Sequence, residues 1–276
     1  MGVYDINGNK LVDNTAIITN SLASFMREEA YLSNLLTESG GGSLQGACTD
    51  GKYIYYVYNN NGLIKRYEIS TGDVFSKSYT SGLYGHANDM TYNPNTNKLY
   101  ICTMNDDGSV AIVNPSTLEK ESSVVLYGEG GIVQPNHGIA YDRIHNRYVT
   151  ANATTITGTY GQRYSLYDSS FNFIKTIVMP EPETYTIQGI ETDGYLIYRA
   201  LWDSSGHINY VSIYDYDGNY YRTVKIENAN ELESIMWDWN GNWYCDVNTS
   251  SGGSLFICGI TQIPYEEIYK IVELMP

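Results

Sequence analysis

Basic residues are scarce in this chain. Lys and Arg total 16 of 276 residues against 31 Asp and Glu, a formal net charge of −15 with a pI near 4.5. Affinity for a phosphate backbone needs clustered cations, and this balance repels polyanions and anionic membranes, so nucleic acid is not expected as a partner. The acidity itself has two readings: it keeps a β-rich protein soluble, or it attracts cations and neutral polar ligands. Cysteine is also sparse, with Cys48, Cys102, Cys245 and Cys258 far apart and no CxxC spacing, which excludes a zinc ribbon or redox dithiol. Each lies in an apolar strand-like run and reads as a small buried hydrophobe, with a Cys245–Cys258 bridge as the alternative.

Long hydrophobic runs are missing too. No window approaches the roughly 18 apolar residues of a membrane helix, and the first twenty residues lack the basic start and apolar stretch of a secretory signal. The expectation is no signal peptide, no membrane insertion, and a cytoplasmic or virion-associated location. No GxSxG, Walker, dinucleotide or HExxH motif occurs. Gly128-Glu129-Gly130-Gly131 lacks the following Lys or helix that phosphate binding needs and reads as a connection. No cofactor is expected.

What the chain does have is 42% hydrophobic residues, 28 Tyr and 26 Gly. That supplies a core and favours strands and turns, because a Tyr ring fills a half-buried pleated surface while its hydroxyl stays wet. A unit recurs five times. Gln45-Gly46-Ala47-Cys48-Thr49-Asp50-Gly51 leads into Tyr53-Ile54-Tyr55-Tyr56-Val57-Tyr58, and Gln188-Gly189-Ile190-Glu191-Thr192-Asp193-Gly194 leads into Tyr195-Leu196-Ile197-Tyr198. The other copies read Asn88-Asp89-Met90-Thr91-Tyr92-Asn93, His137-Gly138-Ile139-Ala140-Tyr141-Asp142 and Glu233-Ser234-Ile235-Met236-Trp237-Asp238. The Asx anchors fall at 50, 93, 142, 193 and 238, so successive copies start 43, 49, 51 and 45 residues apart. That is the length of a propeller blade.

Each unit opens with a strand ending at an Asx turn and a second strand, and a later hairpin such as Val211-Ser212-Ile213-Tyr214-Asp215 before Asp217-Gly218 completes four strands. Such a unit has two apolar faces, so the copies must stack face to face, and radial closure leaves only short edges. The expected fold is all-β: a five-bladed β-propeller of four-stranded antiparallel blades over residues 44–276, preceded by an attachment segment, 1–43. Ser21 as cap and Leu22, Phe25, Met26, Leu32 and Leu36 as one face predict a short N-terminal helix before Gly40-Gly41-Gly42, packing on the ring or mediating assembly. The fourth strand of the last blade is open to two readings: Ile268–Val272, or an N-terminal strand at Val3–Asn9 that echoes Ile213–Asn219.

The strand-turn-strand run His86–Pro94 with Asn97–Ile101 resembles the repeats of NHL and YVTN-type propeller proteins, and this resemblance spans roughly residues 44 to 260 as architecture. The opening Tyr4-Asp5-Ile6-Asn7-Gly8-Asn9 resembles the start of tail-associated proteins of phages and prophages of gut bacteria. This second resemblance implies a virion-associated, receptor-binding module that recognises a cell-surface glycan.

In a propeller the innermost strands line the channel, so residues at their starts converge on one mouth. The equivalent positions are Gln45, Asn88, His137, Gln188 and Glu233, with His86, Asp89 and Asn136 beside them. All five are polar, either because the strands start in solvent or because the ring binds a polar ligand, such as a carbohydrate, or a cation. Non-catalytic recognition at this mouth is the expected function. Two alternatives stay open: a glycan-cleaving hydrolase using Glu233 and Asp89, since glycan hydrolysis needs paired carboxylates, and a metal-dependent lyase-like site on His86, His137 and Glu233. Trp202, Trp237, Trp239 and Trp243 are read as inter-blade packing rather than sugar platforms.

Overall fold

The structure is a computed structural model that describes residues 29–39, 42–59, 62–104, 107–155, 161–180, 185–226, 228, 230–240, 242–249 and 252–259. Twenty strands form five four-stranded antiparallel blades among these residues. Strand β1 is Glu29–Ser39. Blade 1 holds β2 (Leu44–Thr49), β3 (Tyr53–Tyr58), β4 (Leu63–Glu68) and β5 (Val74–Ser78). Blade 2 holds β6 (Asp89–Asn93), β7 (Lys98–Cys102), β8 (Ser109–Val113) and β9 (Lys120–Val125). Blade 3 holds β10 (Asn136–Asp142), β11 (Arg147–Thr155), β12 (Gly161–Asp168) and β13 (Phe173–Pro180). Blade 4 holds β14 (Thr186–Thr192), β15 (Leu196–Asp203), β16 (Ile208–Asp215) and β17 (Tyr220–Ile226). Blade 5 is built from β18 (Glu231–Trp237), β19 (Trp243–Thr249), β20 (Gly252–Gly259) and, as its outer strand, β1.

The Asx signature works as its chemistry requires. Asp50 Oδ1 accepts the Lys52 and Tyr53 amides, Asn93 Oδ1 those of Asn95 and Thr96, and Asp142 Oδ1 those of Ile144 and His145. Asp193 does the same for Tyr195 and Leu196, and Asp238 for Asn240 and Asn242. Each carboxylate or amide thus fixes the hairpin between the first two strands of its blade.

Burial runs radially. Every residue of β2 is buried, whereas outer strands β5 and β9 are largely exposed. The core is five separate apolar clusters, one in each seam between neighbouring blades, including the seam of blade 5 with blade 1. Five seams for five blades mean a closed ring, and the innermost strands β2, β6, β10, β14 and β18 pack in sequence with β18 against β2. Tyrosines fill these seams and bring their hydroxyls to fixed partners. Tyr55 donates to Asp50 Oδ2 at 2.7 Å, Tyr198 to Asp193 Oδ2 at 2.8 Å, and the Tyr148 oxygen accepts Asn93 Nδ2 at 2.6 Å. Trp237 and Trp243 are buried 5.1 Å apart in the seam of blades 4 and 5, and Trp202 is buried as well. Cys48, Cys102 and Cys245 are buried, and the ladder sets Cys245 opposite Phe256 and Cys258 opposite Trp243.

The expected N-terminal helix is corrected. Glu29–Ser39 is a strand that pairs antiparallel with β20 from Tyr31↔Gly259 to Ser39↔Gly252 and supplies the outer strand of the last blade. The helix-like spacing of Leu32 and Leu36 has a different cause. The register slips between Asn34 and Leu36, and this bulge adds one residue, so Leu32 reaches the seam of blades 4 and 5 while Leu35 and Leu36 reach that of blades 5 and 1. The unpaired edge of β20 outweighs local helix preference. Residues 29–39 therefore close the ring instead of standing apart in a leading segment. Ser21, Val3–Asn9 and Ile268–Val272 lie outside the described residues.

A latch secures the closing strand. Glu38 Oε2 accepts the Tyr58 hydroxyl at 2.6 Å and pairs with Lys65 Nζ, joining β1 to β3 and β4 of blade 1. Both charged side chains are mostly buried, so the pair is little screened by solvent.

Candidate functional site

The five innermost strands meet on one side chain. In the repeat alignment the residue after the mouth position is Gly46, Asp89, Gly138, Gly189 and Ser234, so three copies have no side chain where blade 2 has a carboxylate. The Asp89 carboxylate occupies that space. Its Oδ2 accepts the Ile139 amide of blade 3 at 2.9 Å and the Ile190 amide of blade 4 at 3.0 Å, and its Oδ1 accepts the Ser234 hydroxyl of blade 5 at 3.1 Å. Blade 1 presses from the remaining side: a Cβ on Gly46 would lie 2.7 Å from Asp89 Cα. The Gly46 amide donates to Ala87 O at 2.9 Å, and the Ser234 oxygen accepts the Ala47 amide at 3.1 Å. Asp89 is fully buried and plugs the space between the innermost strands. Burial pushes its carboxyl well above the usual carboxylate range, against the pull of these donors.

Above the plug lies the upper mouth, at the starts of the innermost strands. Gln45 Nε2 donates to Glu233 Oε1 at 2.9 Å, and Gln188 Nε2 donates to Glu231 Oε1 at 2.7 Å. Asn88 Nδ2 donates to His137 O at 2.8 Å, and His86 and His137 sit close enough that each would disfavour charge on the other. Both imidazoles are held below their usual range by burial, so both are neutral at pH 7. Asn136 is buried and its Nδ2 reaches Gly108 O at 3.4 Å. Glu233 is buried and Glu231 half-buried, and desolvation raises both carboxyls. The structure thus places the eight sequence-selected residues at the inner ends of the five blades. It sets Asp89 below the others, with its oxygens committed to backbone and Ser234.

The opposite ends of the innermost strands carry different groups. The Arg143 guanidinium lies 5.0 Å from the Trp239 ring centre and 5.9 Å from that of Tyr92. Beside it, Glu191 accepts the Thr192 amide at 2.8 Å and the Trp237 amide at 3.2 Å, and burial pushes its carboxyl up to about 7.

A cavity of about 420 Å³ opens beside the upper mouth, lined by Gln134, Pro135, Asn152, Arg163 and Thr176 with Ile132 and Val133 as an apolar wall. Gln134 and Pro135 lead directly into Asn136 and His137, and Asn152 is the ladder partner of Asn136. Glu129 lines the cavity too, in a 3-10 turn at Glu129–Gly131, so the Gly-rich segment read as a bare connection forms one wall. Nothing in the repeat pattern marks these residues, because they come from a blade-to-blade loop and the second, third and fourth strands of one blade. No group of three His, Cys, Asp or Glu side chains gathers as a metal site among the described residues, so the histidine–Glu233 set does not assemble.

A closed five-bladed propeller with a plugged channel and a polar upper face is the class these features define. Solved structures of the same fold include glutaminyl cyclase of Myxococcus xanthus, at TM-score 0.60 and 12% identity over 86% of this chain and 99% of that one. A luciferin-regenerating enzyme aligns at TM-score 0.54 and 9% identity over 86% and 97%, and a regucalcin from Agrobacterium tumefaciens at 0.51 and 11% over 85% and 96%. At these identities the likeness is one of fold. No protein-family model matches the chain, and no curated protein matches it by sequence. The kinship with other propellers therefore stands at the level of architecture.

Proposed function

We propose that this chain is a non-catalytic recognition propeller whose upper face takes a hydroxyl-rich ligand, a glycan, across the channel mouth and the adjoining cavity. The cavity carries the reading. Its polar corner of Gln134, Asn152, Arg163 and Thr176 supplies donors and acceptors, while Ile132, Val133 and Pro135 give the apolar wall on which a sugar face rests. The resemblance of Tyr4–Asn9 to the start of phage tail-associated proteins supports a virion-associated setting in which this face meets a cell surface. A glycan array with parallel detection of released reducing ends tests the reading. Binding without product, lost in Arg163→Ala, is the expected result; an array with no bound glycan refutes it.

One observation favours a second reading. Glu233 and Glu231 are neighbouring carboxyls at the same mouth, both raised by burial, as a general acid must be. Glutaminyl cyclase and the luciferin-regenerating enzyme are enzymes on this fold. Asp89 is a poor partner for Glu233 in such chemistry, because its oxygens are bonded and enclosed, and Glu231 takes that place. Turnover abolished in Glu233→Gln would establish this reading over the first.

A further inference from the structure

Beside Asn136 Oδ1 of blade 3, four buried oxygen atoms of blades 5 and 1 near the upper mouth have no hydrogen-bond donor among the described residues: Gln45 Oε1, Glu233 Oε2, Asp246 Oδ2 and Asn248 Oδ1. Buried acceptors without partners are few in native proteins, and each calls for a cause. These four belong together. Gln45 Nε2 bonds Glu233 Oε1 at 2.9 Å, and the Ser234 amide bonds Asp246 Oδ1 at 2.6 Å. The ladder of β18 and β19 sets Ser234 opposite Asp246 and Glu231 opposite Asn248, with a bulge at Glu233 between them. Gln45 comes from β2 of the next blade, so strands β18, β19 and β2 carry these acceptors at the junction of blades 5 and 1.

The charge balance is one-sided. Glu231 and Asp246 act on Glu233, and Asp89 acts on Asp246, each pushing its neighbour's carboxyl upward. None of the four carboxylates takes part in an ion pair with Lys, Arg or His among the described residues. These four acidic groups have no protein cation in ion-pair contact among the described residues, and the imidazoles at the mouth are neutral. A cation from solution can take the place of the protons that otherwise keep these buried carboxyls neutral.

We propose that the upper channel binds a hard divalent cation of the calcium class through Gln45 Oε1, Glu233 Oε2, Asp246 Oδ2 and Asn248 Oδ1. The donor set is oxygen alone, two carboxylates and two amides, which suits calcium's tolerance of mixed oxygen ligands and offers nothing to a soft or imidazole-seeking metal. With two carboxylates rather than three, the amide oxygens are needed to complete the set. One cation answers both observations: it satisfies the four acceptors and neutralises Glu233 and Asp246. This inference is independent of the glycan reading.

The test uses the full chain, stripped with chelator and titrated with calcium chloride. Expected are one ion per chain by calorimetry and a melting midpoint raised by roughly 5–10 °C at a hundredfold excess over Kd. Asp246→Asn and Gln45→Leu, each tested for folding by circular dichroism, are expected to lose at least tenfold in calcium affinity. Asp217→Asn, an exposed carboxylate on the opposite face, is expected to bind as the parent does. A midpoint unmoved by about 10 mM calcium or magnesium, or affinity unchanged in both folded variants, overturns the proposal; proton sharing among the carboxylates then accounts for the unpartnered oxygens. Since no glycan enters the assay, its failure and that of the glycan reading are read separately.

Discussion

Replacing Asp89 with Ala removes a side chain that joins four blades. The Ile139 and Ile190 amides, fully buried on neighbouring blades, lose their shared acceptor. Each orphaned donor costs about 1–3 kcal/mol. The Ser234 hydroxyl also loses its acceptor while keeping the Ala47 amide. Relief of burying the carboxyl offsets part of this, so the expected loss is about 3–5 kcal/mol, a large share of the roughly 5–15 kcal/mol typical of a folded domain. For a chain of this size that is a fall of roughly 10 °C or more in melting midpoint. Asp89→Asn separates bonding from charge. Its carbonyl oxygen can still accept both amides while its NH₂ turns to the Ser234 oxygen, so its cost is expected below about 2 kcal/mol. Chemical denaturation followed by the fluorescence of buried Trp237 and Trp243 measures both variants. An Ala variant within about 1 kcal/mol of the parent, or an Asn variant as damaged as the Ala one, would refute the idea that these bonds pin the ring.

Three further outcomes are expected. Gly189→Ala places a Cβ 2.7 Å from Asp89 Oδ1 and 2.9 Å from Glu233 O, and the fixed backbone oxygen makes the clash costly, about 2–4 kcal/mol by denaturant melt; a neutral effect would contradict the tight axis. Glu38→Ala unpairs Lys65 and Tyr58 and is expected to cost about 2 kcal/mol, with faster amide exchange along β1 and unchanged exchange in blade 3. Uniform acceleration across all blades would argue against a local latch. The Glu191 carboxyl should titrate near pH 7 by carbon NMR, with a midpoint near 4.5 counting against its burial. Because its folded pKa exceeds the unfolded value, the native state holds the proton more tightly. The corresponding stability is present below about pH 4.5 and lost as pH rises to about 7, a contribution of about 3 kcal/mol from this group.

The innermost strands, the Asx turns and the packing roles of Trp237, Trp243 and Cys245 were legible from residues alone, because each depends on neighbours within one hairpin or on alternation along one strand. Strand β1 was not. Its bulge gives leucine spacings that imitate a helix, and the edge that recruits it, β20, lies at the other end of the chain. Asp89 was visible as a polar residue near the axis, but its burial and three cross-blade bonds were not. The Gly46, Gly138 and Gly189 alignment carried that signal in retrospect: side chains absent in three copies leave room for one.

Repetition, turn chemistry and alternating apolar residues are local properties, so the chain by itself determined that there are five blades and which strand of each lies innermost. Which strand closes the ring, which side chain fills the axis, and which oxygens remain without donors depend on groups drawn from different blades, whose separations exist only once all five have docked. Long-range pairing competes there with local preference, and it is the packed ring that decides.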